Sequence, residues 1–121
     1  MTPEPIDWAA RWREQWQKNH EISKRKDSAS MWDEQDAARK FYRMSYEKNG
    51  ERVNRTIAGL ALTPESRVLD VGAGPGAITI PIARQVRHVT AVEPSAGMFS
   101  VLEENLAEEG ITNVDCVQKR W

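Results

Sequence analysis

The stretch RVLDVGAGPGAITI, residues 67–80, limits the possible folds more than any other part of the chain. A short apolar run closes on Asp70. Gly72, Gly74 and Gly76 follow within five residues, and apolar positions then recur at Ile78, Ile82 and Val86 with helical spacing. An aliphatic run of this length bounded by glycine predicts a buried strand, and the glycines predict a sharp turn into a helix. Pro81 lies inside the helical pattern over 76–86, where it costs an early-turn hydrogen bond and predicts a tight or bent helix.

The pattern then repeats. HVTAVEP, residues 88–94, reads as a second strand that ends on an acid and a proline. Ser95 reads as an N-cap, Met98, Leu102 and Leu106 follow at spacing four, and Gly110 is a suitable terminator. NVDCVQKRW, residues 113–121, reads as a third strand. Strands alternating with helices imply an α/β fold with parallel pairing and right-handed crossovers.

The first half of the chain is different in character. Four of the five tryptophans lie within the first 32 residues. Trp8, Trp12 and Trp16 recur every four residues and so share one side of a helix, with Asp7 as its N-cap and Pro3 and Pro5 upstream. Three exposed indoles in a row would need cover, so the stripe is expected to dock on the domain; the alternative is a partner protein or an aromatic substrate. SKRKDSAS, residues 23–30, reads as a linker whose Lys24, Arg25 and Lys26 form a solvated surface, the lesser alternative being contact with nucleic-acid phosphate. A second helix is expected from Ser30 to Glu47, with Asp33 and Glu34 in its first turn and KNG at 48–50 as its stop. Val53, Ile57 and Leu60 mark a third helix, closed by the turn LTPES at 62–66. The division falls between a helical cap, 1–63, and an α/β domain, 64–121.

With 121 residues the chain is long enough for one domain with a modest core. Its formal net charge of −1 does not call for a nucleic acid or an acidic lipid surface, and there is no strong nucleic-acid signal. Cys116 is alone, which excludes an internal disulfide and fits a reducing compartment. No apolar run approaches the roughly 20 residues of a membrane span. These features lead to the expectation of a cytoplasmic protein. His20 and His88 lie in no cluster with metal-ligand spacing, so no metal is expected. No nucleophile constellation is visible, and the catalytic residues stay unassigned.

The loop's chemistry is set by its acids. Glu93 stands 19 residues after Gly74, at the end of the second strand, where a carboxylate can accept hydrogen bonds from both hydroxyls of a ribose. Gly72, Gly74 and Ala77 also satisfy the dinucleotide pattern G-x-G-x-x-G/A. A tight structural turn beside two unrelated acids is the bland alternative. Asp70 discriminates between the cofactors. A carboxylate at the mouth of the loop repels a pyrophosphate and suits S-adenosylmethionine, whose amino group and sulfonium are cationic.

VLDVGAGPG followed by VTAVEPSAGM resembles the first two motifs of the class I S-adenosylmethionine-dependent methyltransferases, over about residues 64–121. The resemblance implies a Rossmann-like, three-layer fold. It implies that Asp70 and the backbone of Gly72, Ala73, Gly74 and Gly76 hold the methionine end of the cofactor, and that Glu93 holds the ribose. Met98, or its neighbour Gly97, would pack near the adenine; for Met98 core packing is an equal alternative. The N-terminal helices would form the variable cap that covers the cofactor and shapes the acceptor site. Trp32, Phe41 and Tyr42 are candidates to line that site, or to pack in the core.

The full family sheet has seven strands in the order 3-2-1-4-5-7-6, and this sequence accounts for strands 1 to 3. The chain is therefore expected to be the N-terminal portion of a longer methyltransferase, binding cofactor weakly at best and inactive alone. Its first strand would be an exposed apolar edge and would drive self-association, for instance by pairing two first strands into a six-stranded sheet. The competing reading is a non-catalytic, self-associating or partner-binding module on the same partial fold. An NAD-dependent oxidoreductase is a third.

Overall fold

The computed structural model describes Thr2, residues 4–23 and residues 32–121, without the side chains of residues 20, 22, 23 and 46–49. The predicted helix start at Ser30, the basic run 24–26 and the His20 side chain lie outside what is described. The elements are α1 (Trp8–Ser23), α2 (Gln35–Ala58), β1 (Arg67–Val71), α3 (Thr79–Ala83), β2 (His88–Val92), α4 (Ala96–Glu108) and β3 (Val114–Val117). The strands form one parallel sheet in the order β1-β2-β3. This is the first half of the expected Rossmann-like sheet.

The register explains how the core is placed. Val68, Val89 and Val114 stand side by side across the sheet, as do Asp70, Ala91 and Cys116. Residues so aligned share a face. Val68, Val89 and Val114 pack with Val53 and Ile57 of α2 and with Ile82 and Ala83 of α3. Ala91 and Cys116 pack with Ile80 and with Leu102 and Leu106 of α4. The described helices that cover the sheet therefore lie on one face, because two successive right-handed crossovers in the same direction place both helices on the same side. Among the described residues, two of the expected three layers are present. On the other face Leu69 and Val71 of β1 are 51% and 47% exposed.

Several boundaries differ from the sequence reading. KNG does not stop a helix. The second and third predicted helices are one, α2, running 24 residues through Gly50. An interior glycine costs a helix about 1 kcal/mol, and anchoring on both sides of it outweighs that. On the C-terminal side Val53 and Ile57 pack in the core. On the N-terminal side Arg39 donates to both carboxylate oxygens of Glu104 at 2.9 and 3.1 Å, and Gln35 donates to Ser100 Oγ at 3.0 Å.

The helix α3 is five residues rather than eleven. Its N-cap is Ile78, so Pro81 falls in the first turn, where the missing N–H has no intrahelical acceptor to lose. Asn113 then donates its side-chain amide to the carbonyls of Ala83 and Val86 at 2.8 and 3.1 Å, satisfying one group at the end of the short helix and one just beyond it. The strand β3 is likewise shorter than the predicted run. Gly110 ends α4 as expected: with φ of +65° it closes a double hydrogen-bonded cap in which Ile111 N–H reaches Leu106 O and Gly110 N–H reaches Ala107 O.

Asp7 caps α1 through Ala10 N–H at 2.9 Å. Two indoles of the tryptophan stripe do not dock as expected: Trp8 and Trp12 are 69% and 75% exposed, whereas Trp16 is less so at 46%. No described helix is long and apolar enough to cross a membrane.

Candidate cofactor site

The site forms where β1 and β2 end. Val71 and Val92 are aligned, so the glycine loop leaves β1 beside the start of the Glu93–Ser95 turn. Gly72 and Ala73 donate their N–H groups to Val92 O at 2.8 and 3.1 Å, which ties the loop to the next strand. Gly74 N–H donates to Glu93 Oε1 at 2.9 Å, and Ser95 N–H donates to Glu93 Oε2 at 2.8 Å. Glu93 is 7% exposed, so its charge is compensated by these two amides. An ionised carboxylate has about four acceptor positions, which leaves about two for a further donor pair.

On the other side of the loop Thr79 donates its hydroxyl to Asp70 Oδ2 at 2.6 Å. Thr79 is fully buried, so this bond fixes the Asp70 carboxylate at the cavity wall. The loop is also held from behind. Asn105, buried on α4, donates to Pro75 O at 2.9 Å. Gly76 has φ of +99°, and a Cβ there would stand 2.9 Å from Leu102 Cδ1.

Two cavities flank the loop. One, of about 400 Å³, is lined by Asp70, Gly72, Ala73 and Gly74, and by Phe41 and Arg52 of α2. The other, of about 280 Å³, is lined by Gly72, Gly74, Glu93 and Met98, and by Trp32 and Phe41. Six of the seven residues singled out in the sequence thus meet at these cavities. Gly76 borders neither and serves the packing of α4 against the loop. Gly97 faces the backbone of Trp32 and Asp33 rather than the cavity. Trp32 and Phe41, candidates for the acceptor site, line the cavity of Glu93 and Met98, their rings 5.2 Å apart and tilted by 60°. Tyr42 instead packs beside Leu102 and Leu106. His88 pairs with Asp115 at 3.1 Å, and the described residues contain no group of three or more potential metal-binding side chains.

The sequence reading missed Thr79, Asn105 and Asp33. Asn105 had a visible signal, as a polar residue next to Leu106 in the apolar stripe of α4. Asp33 had a misleading one. Its position suggests the first turn of its own helix, but its Oδ1 accepts from Ala96 N–H at 3.2 Å and from Ser95 Oγ at 3.3 Å. It caps α4, a helix more than sixty residues away in sequence. Ser95 occupies the N-cap position of α4, as expected, without making a side-chain cap bond of its own.

A family model described as ribosomal RNA adenine dimethylase matches residues 35–119. The chain is 36% identical over 73 residues to the 23S rRNA (uracil(1939)-C(5))-methyltransferase RlmD of Xanthomonas euvesicatoria, a match covering 60% of this chain and 16% of that protein. It is 39% identical over 69 residues to ribosomal RNA small subunit methyltransferase A of Desulforapulum autotrophicum, covering 57% of this chain and 24% of that protein. The chain therefore spans less than a quarter of the length of these curated relatives. Among solved structures, that of M. jannaschii TYW2 in complex with AdoMet superposes with a TM-score of 0.52 at 27% identity, covering 59% of this chain and 32% of that one. The similarities to ribosomal RNA methyltransferases run against the absence of a nucleic-acid signal in the charge balance. Together with the glycine loop and the Glu93 turn, the match over residues 35–119 places the chain in the ribosomal RNA adenine dimethylase family, among the class I S-adenosylmethionine-dependent methyltransferases.

Proposed function

We propose that this chain is the cofactor-binding part of an S-adenosylmethionine-dependent methyltransferase acting on ribosomal RNA. The observation that carries this reading is the state of the loop amides. Gly72, Ala73 and Gly74 all donate within the protein, and the two acids beside them are Asp70 and Glu93. A pyrophosphate would find few free donors here and two carboxylates, whereas a cationic amino acid joined to a ribose finds an acceptor at each end. Asp70, steadied by Thr79, takes the amino group of the methionine moiety beside the backbone of Gly72, Ala73 and Gly74. Glu93 takes the ribose hydroxyls, and Met98 lies on the adenosine side. Gly76 supports the loop from behind. The cofactor, when bound, supplies an electrophilic methyl group on sulfonium. The contribution of these residues is to hold it in one orientation for an RNA nucleophile.

In this scheme residues 64–121 carry the loop and its two acids, and α2 both packs on the sheet and walls the cavities through Phe41 and Arg52, so the two parts work as one unit, in the cytoplasm and on RNA. Titration of the labelled chain with S-adenosylmethionine and with NAD tests the assignment. The former is expected to shift the amides of Gly72–Gly74 and Ser95, with weak affinity, and Asp70→Asn and Glu93→Gln to remove the response. Equal or stronger shifts with NAD would refute it.

The open flank of β1 supports self-association as a second property. β1 is an edge strand with half-exposed Leu69 and Val71, the kind of edge that pairs with another chain. Light scattering is expected to show concentration-dependent association that Leu69→Lys weakens. A monodisperse monomer at high concentration would exclude it.

A further inference from the structure

We propose that the segment at Trp32 and Asp33 is a built part of the adenosine subsite. Trp32 is the aromatic wall for the purine, and Asp33 is a positioning residue for the Glu93–Ser95 turn. This rests on the cofactor reading above. Four observations converge on the segment. The Asp33 carboxylate accepts from Ala96 N–H and from Ser95 Oγ at 3.2 and 3.3 Å. Ser95 N–H in turn holds Glu93 Oε2 at 2.8 Å. Gly97 lets the 32–33 backbone lie directly on α4, since a Cβ there would overlap the carbonyl oxygens of Trp32 and Asp33. The half-buried indole of Trp32, tilted on Phe41, then lines the same cavity as Glu93 and Met98.

The chemistry of that cavity suits a flat heteroaromatic ring beside a diol. Trp32 and Phe41 give it aromatic faces, Met98 gives it a polarizable thioether, and Glu93 gives it an acceptor at the mouth. The chain of bonds Asp33–Ser95–Glu93 couples the wall to the ribose acceptor. Ordering of the turn and placement of the indole are therefore one event. A residue before the sheet thereby shapes selectivity for the nucleoside half of the ligand, while Asp70 and Thr79 on the other flank of the loop serve the amino-acid half.

The test uses two ligands that share adenosine, S-adenosylmethionine and 5′-methylthioadenosine, with Trp32→Leu, Trp32→Phe, Asp33→Ala and Asp33→Asn. Trp32→Leu is expected to weaken both ligands about three- to tenfold, the size of an aromatic stacking contribution, and Trp32→Phe to stay within about twofold of wild type. Asp33→Ala is expected to weaken both similarly and to speed hydrogen exchange at Ala96 N–H with or without ligand. Asp33→Asn, which keeps a capping oxygen, is expected to restore both readouts. Unchanged affinity for 5′-methylthioadenosine in Trp32→Leu would overturn the wall, and unchanged Ala96 exchange in Asp33→Ala would overturn the clamp, ligand or no ligand. A folded wild-type chain that binds neither ligand would instead overturn the cofactor reading and the wall with it.

Discussion

Gly76→Ala is the most informative single change in the glycine loop, because it separates packing from ligand contact. Gly76 has φ of +99° and its missing Cβ would stand 2.9 Å from Leu102 Cδ1 and 3.5 Å from Ile80 Cδ1. The left-handed backbone costs an L-residue about 1–2 kcal/mol. The added methyl meets two side chains that are fully buried, so neither can swing aside into solvent. Overpacking of this kind adds about 1–3 kcal/mol. The expected loss is about 3 kcal/mol in total. With an m-value of about 2 kcal/mol/M this lowers the urea midpoint by about 1.5 M.

Gly110→Ala is the control. Its φ is +65°, but no atom lies within 4 Å of its Cβ position, so only the backbone cost of about 1 kcal/mol remains. The measurement is equilibrium urea unfolding of both variants beside wild type. Midpoints lowered equally by the two substitutions would refute the packing argument. So would a Gly76→Ala chain of wild-type stability. The folded fraction of Gly76→Ala is expected to bind S-adenosylmethionine with unchanged intrinsic affinity, since Gly76 borders neither cavity.

Two further outcomes follow from burial. The Cys116 thiol is pushed up from its ordinary value of 9.0, first by burial and then by the charges of Glu103 and Asp115. Iodoacetamide is expected to label it more slowly near pH 8 than a free thiol, with urea abolishing the difference. Because the folded thiol holds its proton more tightly, the unfolded chain ionises first. Stability is therefore full below pH 9 and falls as pH rises above it; a rise in urea midpoint over that range would contradict this. The solvated indoles of Trp8 and Trp12 are expected to be efficiently quenched by acrylamide. Replacing both with Phe is expected to move stability by no more than about 0.5 kcal/mol, and a loss above about 1 kcal/mol would show that they pack in the fold after all.

Much of this molecule follows from local rules that a sequence displays. The apolar run to Asp70, the glycine spacing and the repeat at HVTAVEP dictate a strand, a loop and parallel partners, because period, turn chemistry and crossover handedness are properties of short segments. The cap at Asp7 and the terminator at Gly110 are local in the same way. Contacts between distant segments decided the rest. Gly50 stays helical because Arg39 finds Glu104 and Ile57 finds the sheet core, and neither partner is near in sequence. The exposure of Trp8 and Trp12 depends on where α1 lies relative to the rest of the fold, which its own periodicity cannot specify. Asp33, Thr79 and Asn105 become parts of the site only when the fold brings Ala96, Asp70 and Pro75 to them. The sequence by itself determined the kind of loop and the sign of its charges. The tertiary structure decided which groups hold that loop still, because a hydrogen bond between side chains needs both ends in place and a pattern along the chain specifies only one.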